Sequence, residues 1–151
     1  MGIDALVFCD CLEKGGLRKA PKPEWQVYVQ EDGCRESASP ELRHQAAFGH
    51  WHETACPHDY GILMHRRLEL AAALDLLHPS LMSLPERPPV LRRILALSGL
   101  QPECLAPPAL QGLLAELRQL RPTAPAASLP LLDDLEALAD AALRIGKPLV
   151  F

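Results

Sequence analysis

Aromatic side chains are scarce in this 151-residue chain: they make up 5% of the residues, whereas hydrophobic residues as a whole make up 48%. The core must therefore be aliphatic, mostly leucine and alanine, and these residue types favour helices. The hydrophobic fraction indicates a globular protein and excludes a disordered one. We expect a single domain spanning residues 1–151, which is long enough to enclose a proper core.

Strong charge of either sign is also missing, since the net charge is -4 with histidine neutral. No basic field exists to attract nucleic acid or anionic lipid, and the arginines are interspersed with acids as on a solvated face. No run of about 18 apolar residues is present to span a membrane. The opening residues, MGIDALVFCDC, lack the basic segment of a secretory signal. These absences predict a cytoplasmic protein that binds neither nucleic acid nor a membrane.

The common catalytic and cofactor-binding motifs are absent as well. The chain contains no G-x-S-x-G, no P-loop and no G-x-G-x-x-G. Its five cysteines are odd in number and include no C-x-x-C pair, which indicates free thiols in a reducing compartment. We interpret Cys9 and Cys11, on one face of a predicted strand, as small buried residues rather than a redox pair. No catalytic residue and no cofactor is assigned, and the sequence favours a protein that is not an enzyme without deciding the question.

Alternating apolar residues predict strands at both ends of the chain. Ile3–Leu12 is apolar on both faces, as in a central strand. Trp25–Val29 and Cys34–Ala38 flank a turn at Glu31–Gly33, which predicts a hairpin. We expect Pro148–Phe151, which is apolar, to add a strand beside Ile3–Leu12 or to pack over the core.

The remainder of the chain predicts helices. Ser39, Pro40 and Glu41 have the residue types of a helix start, and Cys56–Pro57 ends that helix. Further helices are predicted over Ile62–Leu84, Val90–Ser98, Ala109–Leu120 and Pro130–Ile145. The predicted fold class is α+β: a small N-terminal β-sheet (a strand plus a hairpin, which the C-terminal strand can join) packed on four or five helices.

A histidine-rich stretch between His50 and Leu68 holds most of the chemically interesting side chains. One interpretation is a zinc-binding protein or a metal-dependent enzyme, because thiolates and imidazoles are zinc ligands. Its candidate ligands are His52, Cys56, His58 and His65. Their spacing, H-x3-C-x-H-x6-H, matches no standard zinc pattern. A catalytic pair of Cys56 with His58 is disfavoured, because the predicted helix ends at Cys56 and its dipole there opposes a thiolate.

Protein binding is the interpretation that needs no catalytic motif. Large amphipathic side chains, with polar and charged residues near them, are of the kinds that protein interfaces favour, although ordinary packing would also account for them. The candidate partner-binding residues are Tyr28, His50, Asp59, Tyr60, Arg66 and Arg67.

Three stretches of the chain resemble a group of small, largely uncharacterised bacterial cytosolic proteins of the toxin-immunity type. They are MGIDALVFCDC at the start, ACPHDYGILMHRRL in the middle and GKPLVF at the end. Such proteins accompany secreted toxins in polymorphic-toxin and type VI secretion settings. The resemblance implies a cytosolic inhibitor that neutralises a bacterial toxin by occluding its active site, and it implies no catalytic residue. An acidic surface would suit a basic toxin through steering and charge complementarity.

Overall fold

The computed structural model describes residues 2–99 and 102–151, which form an α+β fold. The strands are β1 (Ile3–Phe8), β2 (Val27–Val29), β3 (Arg35–Ser37), β4 (Ile62–Leu68), β5 (Cys104–Leu105) and β6 (Leu149–Val150). The α-helices are α1 (Cys11–Lys14), α2 (Leu42–Thr54), α3 (Leu70–Ser83), α4 (Pro89–Leu95), α5 (Pro107–Leu120) and α6 (Leu129–Ile145). The predicted fold class is therefore confirmed.

A four-stranded antiparallel sheet runs in the order β4-β1-β6-β5. β1 lies inside the sheet, as its two apolar faces predicted. Its pairing with β4 runs from Ile3 opposite Leu68 to Phe8 opposite Ile62, with a register shift between Val7 and Phe8. β6 pairs with β1 on the other side, which confirms that the end of the chain adds a strand beside the first one.

Two sequence predictions about the strands were wrong in detail. Ile62–Leu68 is strand β4 and not the first part of a helix over Ile62–Leu84, so α3 begins only at Leu70. Leucine, methionine and arginine in this segment favour a helix locally, but the hydrogen bonds that β1 offers along its length override that preference. The β2–β3 hairpin forms as predicted, yet it makes a separate two-stranded sheet and does not extend the sheet of β1.

The main core is aliphatic throughout, as the scarcity of aromatics indicated. Its fully buried side chains include Val7 and Leu149 from the sheet and Leu77, Leu113 and Leu135 from the helices. Phe151 packs against this core, whereas Trp25 and Trp51 form a second cluster between the hairpin region and α2. A third buried cluster consists of cysteines, and it shares Leu63 with the main core and Leu17 with the tryptophan cluster.

Among the residues described, none of the helices combines the length and the apolarity that a membrane crossing needs.

Burial in the main core is tested by two identical substitutions at sites of opposite exposure. Leu149 is fully buried, whereas Leu42 is 82% exposed at the start of α2. We expect Leu149→Ala to lower the free energy of unfolding by about 2–5 kcal/mol, because it removes a side chain and leaves a cavity. Leu42→Ala should change it by less than about 0.5 kcal/mol. Urea denaturation of both variants measures this, and equal losses would contradict the placement of β6.

Candidate metal centre

Two short turns, distant in sequence, meet at the end of the β1–β4 pair. Cys9 and Cys11 follow β1, where Cys11 begins the four-residue helix α1. Cys56 and His58 lie between the end of α2 and a 3-10 turn at Asp59–Gly61. The backbone N–H of Cys9 donates to the carbonyl of Gly61 at 2.8 Å, which continues the strand pairing beyond its last residue. The fold therefore places a C-x-C turn directly against a C-x-H turn.

The ligand atoms of these four residues all lie within 4.8 Å of one another. The Sγ atoms of Cys9 and Cys56 are 3.7 Å apart, and Nδ1 of His58 lies 3.4 Å from Cys11 Sγ and 3.9 Å from Cys56 Sγ. A tetrahedral zinc ion with Zn–S near 2.3 Å and Zn–N near 2.0–2.1 Å requires S–S edges of about 3.8 Å and S–N edges of about 3.6 Å. These three separations are therefore close to the edges of a zinc tetrahedron.

Burial sets this group apart from ordinary surface thiols. Cys56 is 1% exposed, Cys9 is 5% and Cys11 is 8%, and His58 is half-buried beside them. All three cysteines are free thiols. Because four protein ligands complete a tetrahedron, the arrangement has the composition of a closed, structural zinc site and lacks the open position of a catalytic one.

The pKa values of the three thiols are shifted in different directions. Burial, together with the neighbouring thiols of Cys9 and Cys56, raises the pKa of Cys11 to about 12. Burial also raises the pKa of Cys9, although a backbone hydrogen bond from Cys11 opposes the rise. Burial acts in the same direction on Cys56, but hydrogen bonds from the His58 backbone and the Arg35 side chain outweigh it and lower the pKa of that thiol. A divalent cation would supply the positive charge that three adjacent thiolates need.

The sequence-predicted metal ligands are only partly brought together. Cys56 and His58 belong to the group, whereas His52 and His65 do not. Because α2 ends at Thr54, Cys56 is not one helical turn beyond His52, whose ring stacks on Phe48 at a centroid distance of 5.2 Å. His65 lies on strand β4 rather than on a helix, and its Nε2 is 2.8 Å from Oδ1 of Asp4.

Sequence reasoning missed Cys9 and Cys11 as ligands, although a signal for them exists. Each turn places its two ligands with one residue between them, C-x-C at Cys9 and C-x-H at Cys56. Structural zinc sites commonly take their ligands in pairs that are close in sequence, although two to four intervening residues are the usual spacing between cysteines. The information that was lacking is the strand pairing that joins the two halves across 47 residues.

All six predicted partner-binding residues are exposed. They are distributed over different elements: Tyr28 on β2, His50 on α2, Asp59 and Tyr60 on the 3-10 turn, and Arg66 and Arg67 on β4. Several already have partners within the chain. Tyr28 donates to Glu36 at 2.8 Å, Arg66 pairs with Asp134 at 3.0 Å, and Arg67 pairs with Asp4 at 3.2 Å.

A scan against protein-family models found no match, and neither the curated proteins nor the solved structures include a significant match to this chain.

His52 links the surroundings of the site to pH. Burial, and secondly the charge of Arg35, lower the pKa of His52 below its usual 6.5. The unfolded chain therefore takes up a proton at this position before the folded chain does. The contribution of His52 to the free energy of unfolding is fully present above about pH 6.5. It is lost as the pH falls from there towards the pKa of His52 in the folded state.

We therefore expect His52→Gln to reduce the loss of unfolding free energy between about pH 8 and pH 6. Urea denaturation at both pH values measures that loss. His78→Gln, at an exposed histidine on α3, is the matched control and should behave like the unmodified protein. An unchanged loss in His52→Gln would show that His52 does not have a lowered pKa.

Proposed function

We propose that this chain is a zinc-binding protein whose metal ligands are Cys9, Cys11, Cys56 and His58. The observation that carries the proposal is the convergence of their four ligand atoms within 4.8 Å. Hydrogen bonds between thiols and an imidazole would account for single distances of this size. Four mutually close ligand atoms, with three of their six separations near the edge lengths of one tetrahedron, are better accounted for by a common metal ion.

The ligand set favours zinc among the common biological cations. Magnesium and calcium prefer oxygen ligands, whereas thiolates and imidazoles suit zinc. Four-coordinate tetrahedral binding by three cysteines and one histidine is a usual composition of structural zinc sites.

The position of the site supports a structural role. Its two turns connect β1, which belongs to the aliphatic core, to the segment after α2, which packs in the tryptophan cluster. A metal ion bound to both turns would fasten these two parts together, since ligand binding that only the folded chain can provide stabilises that chain. A closed site of this type supports a structural metal ion. It gives no support to a metal-dependent enzyme.

Metal analysis of the full chain tests the proposal. We expect about one zinc ion per chain after reconstitution under reducing conditions, and a lower free energy of unfolding in chelator. Cys11→Ser should abolish stoichiometric zinc, whereas Cys104→Ser, at an exposed cysteine outside the group, should retain it. Unmodified protein that holds no stoichiometric zinc and is equally stable in chelator would refute the proposal.

We further propose that the domain binds a protein partner and acts in the cytoplasm as a toxin-immunity inhibitor that occludes its target. The supporting observation is Tyr60, which is 49% exposed and adopts a φ of 51° immediately after Asp59. A bulky residue in the left-handed region is strained, and such strain persists mainly at functional positions. Tyrosine is also a frequent anchor of interfaces. The net charge of -4 suits a basic partner.

Binding to the products of neighbouring genes tests this second proposal. Tyr60→Gly should fold with little or no loss of stability, because glycine tolerates the observed φ, and should weaken partner binding at least tenfold. Met82→Ala, at a 56% exposed side chain on α3, is the control and should bind normally. Calorimetry with the purified partner measures both affinities. Turnover of small substrates by a chain that binds none of these products would refute the proposal.

A further inference from the structure

Arg35 is a buried cation beside the candidate metal centre. It lies on β3 and is only 4% exposed. Its Nη2 donates to Cys56 Sγ at 3.5 Å, and its guanidinium carbon lies 5.4 Å from the centroid of the Trp51 ring. Arginine is rarely this buried unless its charge is paired.

A carboxylate does not supply the missing counter-charge. Within residues 2–99 and 102–151, the only hydrogen bond of the guanidinium is the one to Cys56 Sγ, and Nη1 is buried without a partner. Taking a guanidinium out of water is strongly unfavourable when no anion lies beside it. The environment of Arg35 therefore calls for an anion on the side of Cys56.

The metal centre would be that anion. Three thiolates and a neutral imidazole around one divalent ion leave a net charge of minus one, by simple addition of formal charges. The sulfur atom of Cys56 is the part of this group that faces the guanidinium. The pair is then neutral as a whole, and the attraction between its two charges offsets part of the cost of burying each of them.

The neighbouring loop leaves space for this contact. Gly61 has a φ of +69°, and a Cβ atom added to it would lie 3.0 Å from Cζ of Arg35. Real Cβ atoms are rarely so close to another heavy atom, so a side chain at this position would displace the guanidinium. Gly61 also accepts the hydrogen bond from Cys9, which ties this approach to the metal-binding turns.

We propose that Arg35 is a positioning residue of the zinc site: it donates to the metal-bound thiolate of Cys56 and compensates the net negative charge of the complex. The inference rests on the proposed zinc-binding function. A cationic donor withdraws electron density from the sulfur atom, so it makes the bound thiolate a poorer nucleophile and a more permanent ligand. The site is in this way kept as an inert structural centre.

Cobalt(II) and zinc binding by full-length variants test this role. Arg35→Met keeps an apolar stem against Trp51 and removes the charge, and Arg35→Lys keeps the charge without the planar group. We expect Arg35→Met to weaken zinc binding about 10- to 100-fold in competition with a chelator, as removal of outer ligand partners does. Its sulfur-to-cobalt charge-transfer band should move to lower energy, and Arg35→Lys should recover part of both losses. Arg43→Met, at an exposed arginine on α2, is the control and should match the unmodified protein.

Gly61→Ala provides a second variant that leaves the arginine in place, in case Arg35→Met does not fold. It should shift the cobalt band in the same direction, whereas Gly146→Ala, at φ +67° with no atom within 4 Å, should not. Normal metal binding by the unmodified protein, with unchanged spectra and affinities in the Arg35 and Gly61 variants, would overturn the role of Arg35 alone. Failure of the unmodified protein to bind cobalt or zinc would overturn the zinc-binding function and this inference with it.

Discussion

The antiparallel pairing of β1 with β4 brings the Cys9–Cys11 turn into contact with the Cys56–His58 turn. It aligns Ile3 with Leu68 at one end and Phe8 with Ile62 at the other, and the hydrogen bond from Cys9 to Gly61 extends it by one step. Everything at that end depends on this register, because a slip by one residue would turn each side chain to the opposite face. The C-x-C turn follows β1, whereas the C-x-H turn and Gly61 precede β4, so all three lie within a few residues of this end of the paired strands.

The region beyond this end of the sheet has little aliphatic core of its own. Its buried side chains are mainly Trp25, Trp51 and three cysteines, whereas the leucines are concentrated among α3, α4, α5 and α6. Cysteines are small and bury little apolar surface each, and an unpaired buried guanidinium opposes folding. A metal ion bound by four ligands would neutralise the buried thiolates and cross-link the two turns, and it would therefore stabilise the folded chain. The two proposals are therefore linked, because the positive charge of Arg35 balances the net negative charge of the zinc–thiolate group.

Most of the fold could be predicted from the sequence because it follows local patterns. Leucine spacing predicted α5, early acidic residues with a late Arg144 and Gly146 predicted α6, and the apolar ending predicted β6 beside β1. β4 could not be predicted in this way, because its residues favour a helix and become a strand only through pairing with β1. The candidate metal centre was half predicted for the same reason: Cys56 and His58 lie in a conspicuous stretch, whereas Cys9 and Cys11 reach them only through long-range pairing. Arg35 carried no sequence signal, since its burial depends on the position of the hairpin against Trp51 and Gly61.

X-ray absorption spectroscopy at the zinc edge of the reconstituted full-length chain tests the central claim most directly. The account predicts a single shell of three sulfur atoms at about 2.3 Å and one nitrogen atom at about 2.0–2.1 Å. Replacement of His58 by serine should remove the nitrogen contribution of an imidazole and leave the three sulfur atoms. A zinc shell made of oxygen and nitrogen only, or one with fewer than three sulfur atoms in the unmodified protein, would contradict the account.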